Sequence, residues 1–235
     1  MISSAHYKPQ FEALKEATRI KIDATGQKLL DFGCGDGYLA QQYSYEAKKV
    51  TAYDITQQDT WKTIKADNLI FTTSIIDVQN EATYEKIIVN DVFDHIQPPL
   101  KWTRTLQEYH IHVLNILTPL LTYGGTLTLI IHPWTSRFGA HLPEKKTFYH
   151  LTALGQYLDV KQTAPIHRIL RSEEYYTKCI EESNLKTAGI YVDRRELEPF
   201  ELHLLPAISK NLGVSADILS EIISVDKIYY TLIHR

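Results

Sequence analysis

Cysteine is scarce in this chain: Cys34 and Cys179 are the only two among 235 residues. One lies in a glycine-rich turn and the other in a predicted helix, so no disulfide framework is expected. Long apolar runs are missing, and no stretch reaches the length that spans a bilayer. The opening residues Met1-Ile2-Ser3-Ser4-Ala5-His6-Tyr7-Lys8 lack the apolar core of a signal peptide, which makes the cytoplasm the expected compartment. Charge of one sign is not in excess. The 25 Lys and Arg against 28 Asp and Glu give a formal net charge of −3. Without a broad basic field, neither nucleic acid nor an anionic membrane is an expected partner. Repeats, charge blocks and low-complexity linkers are also absent. The 10 histidines are scattered without paired ligand spacing, so no metal is expected.

What is present is a globular composition, 44% hydrophobic and 23% charged. At this length it can bury a substantial core in one domain. The most informative stretch is Leu29-Leu30-Asp31-Phe32-Gly33-Cys34-Gly35-Asp36-Gly37. Lys28 to Phe32 reads as a buried strand and Tyr38 to Tyr45 as the helix after it. Glycines at such a turn permit positive φ and close approach of a ligand. The helix N-terminus beyond them presents N–H groups to whatever binds. Asp36 either caps that helix or touches the ligand. Lys49 to Asp54 reads as a second strand ending in an acid. An acid roughly twenty residues past such a turn grips ribose hydroxyls. The spacing Asp-x-Gly-x-Gly-x-Gly differs from the dinucleotide fingerprint Gly-x-Gly-x-x-Gly and points away from a pyrophosphate ligand.

Further strands are expected at Asn68–Thr72, from Glu85, across Gly124–His132, at Lys186–Asp193 and at Lys227–Ile233. Helical patterns cover Gln10–Lys21, Leu100–Leu121, Phe148–Asp159, Glu173–Ser183, Phe200–Leu212 and Ala216–Ile223. Alternation of this kind predicts a mostly parallel sheet with helices on both faces. In the long helix the apolar stripe is Leu106, Tyr109, Val113, Leu117 and Leu120, with Pro119 marking a bend or break. Ser172 and Ser215 are expected N-caps.

With the glycine turn, Asp54, the strand Glu85–Asn90 leading to Asp94-His95, and Gly124-Gly125 in order, the chain resembles the class I S-adenosylmethionine-dependent methyltransferases. That resemblance implies an α/β Rossmann-like fold with a seven-stranded, mostly parallel sheet and an antiparallel last strand. It implies S-adenosylmethionine as cofactor, S-adenosylhomocysteine as product, and one domain over 1–235. Within it, residues 1–27 would carry a helix over the cofactor, 133–170 an acceptor-side loop and added helix, and 199–224 a helical insertion. Asp31, Gly33, Cys34, Gly35 and Gly37 would hold the methionine part, Asp54 the ribose, and Ile55 would be a further cofactor contact. Adenine would meet Ile75 or Asp77, and Asn90 and Asp91 would line the transfer site.

The segment Pro133–Pro143 follows the fifth strand, where loops line the ligand crevice of an open parallel sheet. Trp134 and Phe138 are expected pocket walls, and Arg137 is suited to an anionic group on an acceptor. His141, His95 and His132 are the candidate bases, since an imidazole titrates near neutrality. The expected activity is methyl transfer to a small molecule, with oxygen as the first acceptor considered. Alternatives are nitrogen or carbon acceptors, an aminopropyl transferase on the same fold, and a non-catalytic cofactor-binding partner. A monomer or a homodimer is expected.

Overall fold

The computed structural model describes residues 22–131 and 173–235, except 82, 94, 97, 195, 197, 198 and 214. The expected helices Gln10–Lys21 and Phe148–Asp159, the cap Ser172 and the loop after the fifth strand lie outside the described residues. The strands are β1 Lys28–Phe32, β2 Lys49–Tyr53, β3 Leu69–Thr72, β4 Tyr84–Asn90, β5 Leu121–Ile131, β6 Leu185–Arg194 and β7 Val225–His234. They form a seven-stranded sheet in the order β3-β2-β1-β4-β5-β7-β6. β1 runs parallel to β2 and to β4, and β2 runs parallel to β3. The pairing turns antiparallel through β5, β7 and β6, as expected for the last strand. The helices are α1 Tyr38–Ser44, α2 Ile75–Asn80, α3 Leu106–Leu117, α4 Glu173–Glu181, α5 Pro199–Leu212 and α6 Ala216–Ser224.

The chain divides into two compact units, the first ending at Asn90 and also taking Leu117–Thr128 and His234. Its central parallel strands β1, β2 and β4 are buried on both faces and therefore read as largely apolar runs. Leu29, Leu30, Val50, Ala52, Ile87, Ile88 and Val89 have no exposed surface. Full burial of a Leu or Ile contributes about 1.5–3 kcal/mol. α1 buries Leu39, Ala40 and Tyr43, the spacing of one helical face. Strand order reverses between β1 and β4, which makes their C-terminal ends the crevice where an open α/β sheet takes a ligand.

The second unit comprises Asp91–Ile116, Leu129–Ile233 and Arg235. Here α3 begins at Leu106 rather than at the expected Leu100. A capping box sets that start: Glu108 N–H donates to Thr105 Oγ1 at 3.2 Å, and Thr105 N–H donates to Glu108 Oε2 at 2.9 Å. The Thr105 N–H and the Thr105 hydroxyl, which both donate to Glu108 Oε2 at 2.9 Å, hold the Glu108 carboxyl below its usual range. The buried stripe of the helix runs through His110, Val113, Leu114 and Leu117. Tyr109 is instead half-buried against the Trp102 ring, 5.0 Å between centroids. Pro119 does close the helix, inside the 3-10 turn Thr118–Leu120. Ser215 Oγ accepts from Ile218 N–H at 3.3 Å and caps α6 as expected.

The fifth strand departs from expectation. Gly124 and Gly125 do not precede β5; they lie inside it. Gly124 has φ 84°. A Cβ on Gly125 would meet Thr122 Oγ1 at 2.8 Å and the Glu85 carbonyl at 3.0 Å. The pair is a kink with close backbone approach, a known use of glycine within a strand.

Candidate functional site

The glycine turn joins the C-terminal end of β1 to α1 within the first unit. Gly33, Gly35 and Gly37 all take positive φ, at 83°, 52° and 80°, which glycine alone adopts without cost. The turn is tied to the segment after β2. Gly33 N–H and Cys34 N–H both donate to the Tyr53 carbonyl, at 2.7 and 2.9 Å. Gly35 N–H donates to Asp54 Oδ2 at 3.0 Å. Asp54 Oδ1 accepts from Thr56 N–H at 3.0 Å. Gly37 N–H donates to the Cys34 carbonyl at 3.0 Å, and Tyr38 N–H to Asp36 Oδ1 at 3.1 Å. Asp36 thus bonds the first amide of α1 across a local turn, while Gly37 occupies the N-cap position with no side-chain cap. The expected array of N–H groups for a ligand is reduced accordingly, because these five amides already donate within the protein.

Two side chains hold the carbonyls of the same turn. Trp61 Nε1–H donates to the Gly35 carbonyl at 2.8 Å, and Thr60 Oγ1–H donates to the Asp36 carbonyl at 2.7 Å. The Trp61 ring stacks on Phe71, 4.9 Å between centroids and 15° between planes. Phe71 fills the space beside Gly37, where an added Cβ would meet its ring at 2.6 Å. A Cβ on Gly35 would meet nothing within 4 Å. Trp61 and Phe71 also line a hollow of about 430 Å³, with Gln57, Lys62, Thr72 and Thr73 around it. None of Thr60, Trp61 or Phe71 stood out in the sequence. The only signal was a lone tryptophan in a short polar connection, and its partner lies 26 residues away.

The turn is electronegative. Asp31 is buried at 2% exposure, directly before it. Burial, and then the carboxylates of Asp31, Asp54 and Asp36, push the Cys34 thiol well up from its ordinary value. Cys34 is therefore a neutral packing group, not a nucleophile. In the folded protein it is expected to stay unmodified by dithiobisnitrobenzoate at pH 8 and to react once urea unfolds the chain. Rapid labelling of the native protein at Cys34 would contradict this.

At the end of β3, Ser74 caps α2 by accepting from Asp77 N–H at 3.2 Å. Thr72 Oγ1 donates to Asp77 Oδ2 at 3.0 Å and accepts from Ser74 N–H at the same distance. Asp77 is exposed, Ile75 half-buried and Ile55 82% exposed. At the end of β4, Asn90 keeps a buried Oδ1 that accepts no hydrogen bond among the described residues. A buried acceptor of this kind is costly unless a ligand or water meets it.

In the second unit, Asp91 has φ 54°, uncommon for a residue with a Cβ. Its Oδ2 lies 3.6 Å from Nζ of the buried Lys227 on β7. Lys227 was not anticipated, because a lysine in a strand reads as a solvent-facing residue. His95 is exposed, and its backbone N–H donates to the Val92 carbonyl at 2.9 Å. His110, also unanticipated, is buried with Nδ1 3.0 Å from the Tyr175 hydroxyl. His132, Trp134, Arg137, Phe138 and His141 lie outside the described residues. Among the described residues no cluster of His, Cys, Asp and Glu suits a metal, and no helix is long and apolar enough to cross a membrane.

Comparison with known proteins adds family and fold. The family model described as methyltransferase domain matches residues 6–163. A search of curated sequences finds no match. Among solved structures, the chain is similar to a SAM-dependent methyltransferase from Archaeoglobus fulgidus, at 16% identity and TM-score 0.57, covering 95% of this chain and 94% of that one. It is similar to magnesium protoporphyrin IX methyltransferase from Synechocystis PCC 6803 with bound SAH, at 14% identity and TM-score 0.57, covering 99% and 88%. The N-methyltransferase NodS from Bradyrhizobium japonicum WM9 is similar at 10% identity and TM-score 0.54, covering 98% of each chain. At these identities the likeness establishes the fold.

Proposed function

The chain belongs to the methyltransferase-domain family matched over residues 6–163, and on that premise we propose that it transfers a methyl group from S-adenosylmethionine to an oxygen of a small-molecule acceptor. The observation that carries the reading is the chemistry of the glycine turn. A pyrophosphate is held by backbone N–H donors at a helix N-terminus. Here the amides of Gly33, Cys34, Gly35, Gly37 and Tyr38 donate internally. Three carboxylates act on the turn: Asp31 near the end of β1, Asp36 within it, and Asp54 after β2, bonded to Gly35 N–H. Such a turn disfavours an anion and suits a ligand bearing cationic sulfonium and ammonium groups with ribose hydroxyls.

The residues present fit that cofactor. Each oxygen of Asp54 accepts one backbone N–H and retains a lone pair for a ribose hydroxyl. The buried Asn90 Oδ1 offers an acceptor for the ammonium. The open space over Gly35 admits close approach of the chain between them. When bound, S-adenosylmethionine supplies a methyl already activated on sulfur. The protein's share is then orientation and exclusion of water, worth roughly 7–11 kcal/mol in well-aligned systems. A hydroxyl acceptor must lose a proton on methylation, for which His141, His132 and the exposed His95 are the proposed bases. Trp134, Phe138 and Arg137 are proposed to hold the acceptor. Magnesium protoporphyrin IX methyltransferase, named for a small-molecule substrate and solved with SAH, supports both parts of the reading.

Calorimetric titration with S-adenosylmethionine, S-adenosylhomocysteine and NAD tests it directly. Binding of the two adenosyl ligands without NAD is expected, and the reverse order would reject it. Asp54→Ala is expected to weaken S-adenosylhomocysteine by about 1.5–3 kcal/mol, the worth of hydrogen bonds to a charged group. Unchanged affinity would remove Asp54 from the ribose role.

A further inference from the structure

Glycines at three of five turn positions leave the backbone its greatest freedom in the unheld state. Something must therefore fix the turn before a ligand arrives, since ordering it on binding would cost affinity. The 3-10 turn Asp59–Lys62 supplies that restraint. It is itself closed by Trp61 N–H on the Gln58 carbonyl at 3.2 Å and Thr63 N–H on the Thr60 carbonyl at 3.0 Å. From it the Thr60 hydroxyl and the Trp61 indole reach the two successive carbonyls of Asp36 and Gly35. The stack of Trp61 on Phe71, and of Phe71 beside Gly37, closes a ring around the turn.

The geometry points to Trp61 and Thr60 as positioning residues that preorganise the glycine turn for the adenosyl cofactor. Neither contacts the reacting atoms; both act through the backbone of Gly35 and Asp36. The inference rests on the methyl-donor reading given above. It also assigns a spectroscopic reporter. Trp61 is bonded to the turn itself, so a ligand seated there changes the indole environment. Of the three tryptophans in the chain, this one should carry the binding signal.

The test uses the full chain with S-adenosylhomocysteine as probe, in Trp61→Phe, Thr60→Val and Thr60→Ser. Trp61→Phe keeps a ring on Phe71 and loses the N–H donor; Thr60→Ser keeps the hydroxyl that Thr60→Val loses. Affinity is expected to fall about three- to tenfold in Trp61→Phe and in Thr60→Val, the loss of one hydrogen bond. Thr60→Ser is expected to restore it to within about twofold. Amide exchange over residues 33–37 of the ligand-free protein should quicken in the two weakened variants, with the urea midpoint little moved. The ligand-induced fluorescence change should vanish in Trp61→Phe. Unaltered affinity and exchange in Trp61→Phe and Thr60→Val, with the unsubstituted protein binding normally, would overturn the positioning role alone. Failure of the unsubstituted protein to bind would overturn the methyl-donor reading and this inference with it.

Discussion

Gly35→Ala is expected to leave the protein folded and to remove binding of S-adenosylhomocysteine, whereas Gly37→Ala is expected to damage the fold itself. The two glycines stand two residues apart and both have positive φ, so the backbone cost to an alanine is similar, about 1–2 kcal/mol at each. They differ in what the new methyl meets. At Gly35 it enters open space, on the side assigned to the ligand. There a displacement of about 1 Å costs on the order of a hundredfold. At Gly37 it meets the Phe71 ring at 2.6 Å, and that ring is pinned by Trp61. Overpacking adds about 1–3 kcal/mol, for a total near 2–5 kcal/mol with the backbone term. Urea unfolding paired with calorimetry separates the two. Equal stability losses, or ligand binding retained by Gly35→Ala, would refute the division of labour.

Lys227→Ala should cost about 3–5 kcal/mol of stability, the usual loss when one member of a buried ion pair is removed. Lys227 is 4% exposed, and its ammonium faces Asp91 at 3.6 Å. Taking it away leaves the Asp91 carboxylate partly buried without this cation, at a backbone position already strained by φ 54°. Asp91→Gly relieves both the charge and the strain. The double variant Asp91→Gly with Lys227→Met should therefore recover most of the stability that Lys227→Met loses alone. A double-mutant cycle by urea unfolding reads the coupling directly. A coupling near zero would mean that the pair does not act as a unit.

How far the sequence led depended on the range of the interaction that decides each feature. β1 was read at its observed bounds, Lys28–Phe32, because a strand buried on both faces is a continuous apolar run closed by glycine. The glycine turn was legible because local backbone demands select the residue type: Gly33, Gly35 and Gly37 all take positive φ. The start of α3 was misplaced because apolar spacing continues upstream of Thr105, and the capping box that decides it is a polar signal. Gly124-Gly125 reads equally as a turn or as a kink, and only the neighbouring strand at Glu85 settles which. Trp61, Phe71 and Lys227 escaped because their roles are long-range. Trp61 reaches a carbonyl 26 residues back, and Lys227 meets an acid more than a hundred residues earlier.

The sheet order carries a consequence for synthesis on the ribosome. β7 stands between β5 and β6, yet it is made after both. Until it emerges, those two strands have no partner on their facing sides, and the nascent chain presents two unsatisfied rows of N–H and C=O groups. β6 adds the exposed apolar side chains Ile190, Tyr191 and Val192. Unpaired edges of this kind recruit other strands, and partly folded chains that show them aggregate. Pairing in this half of the sheet must therefore wait for β7, which closes both open edges at once.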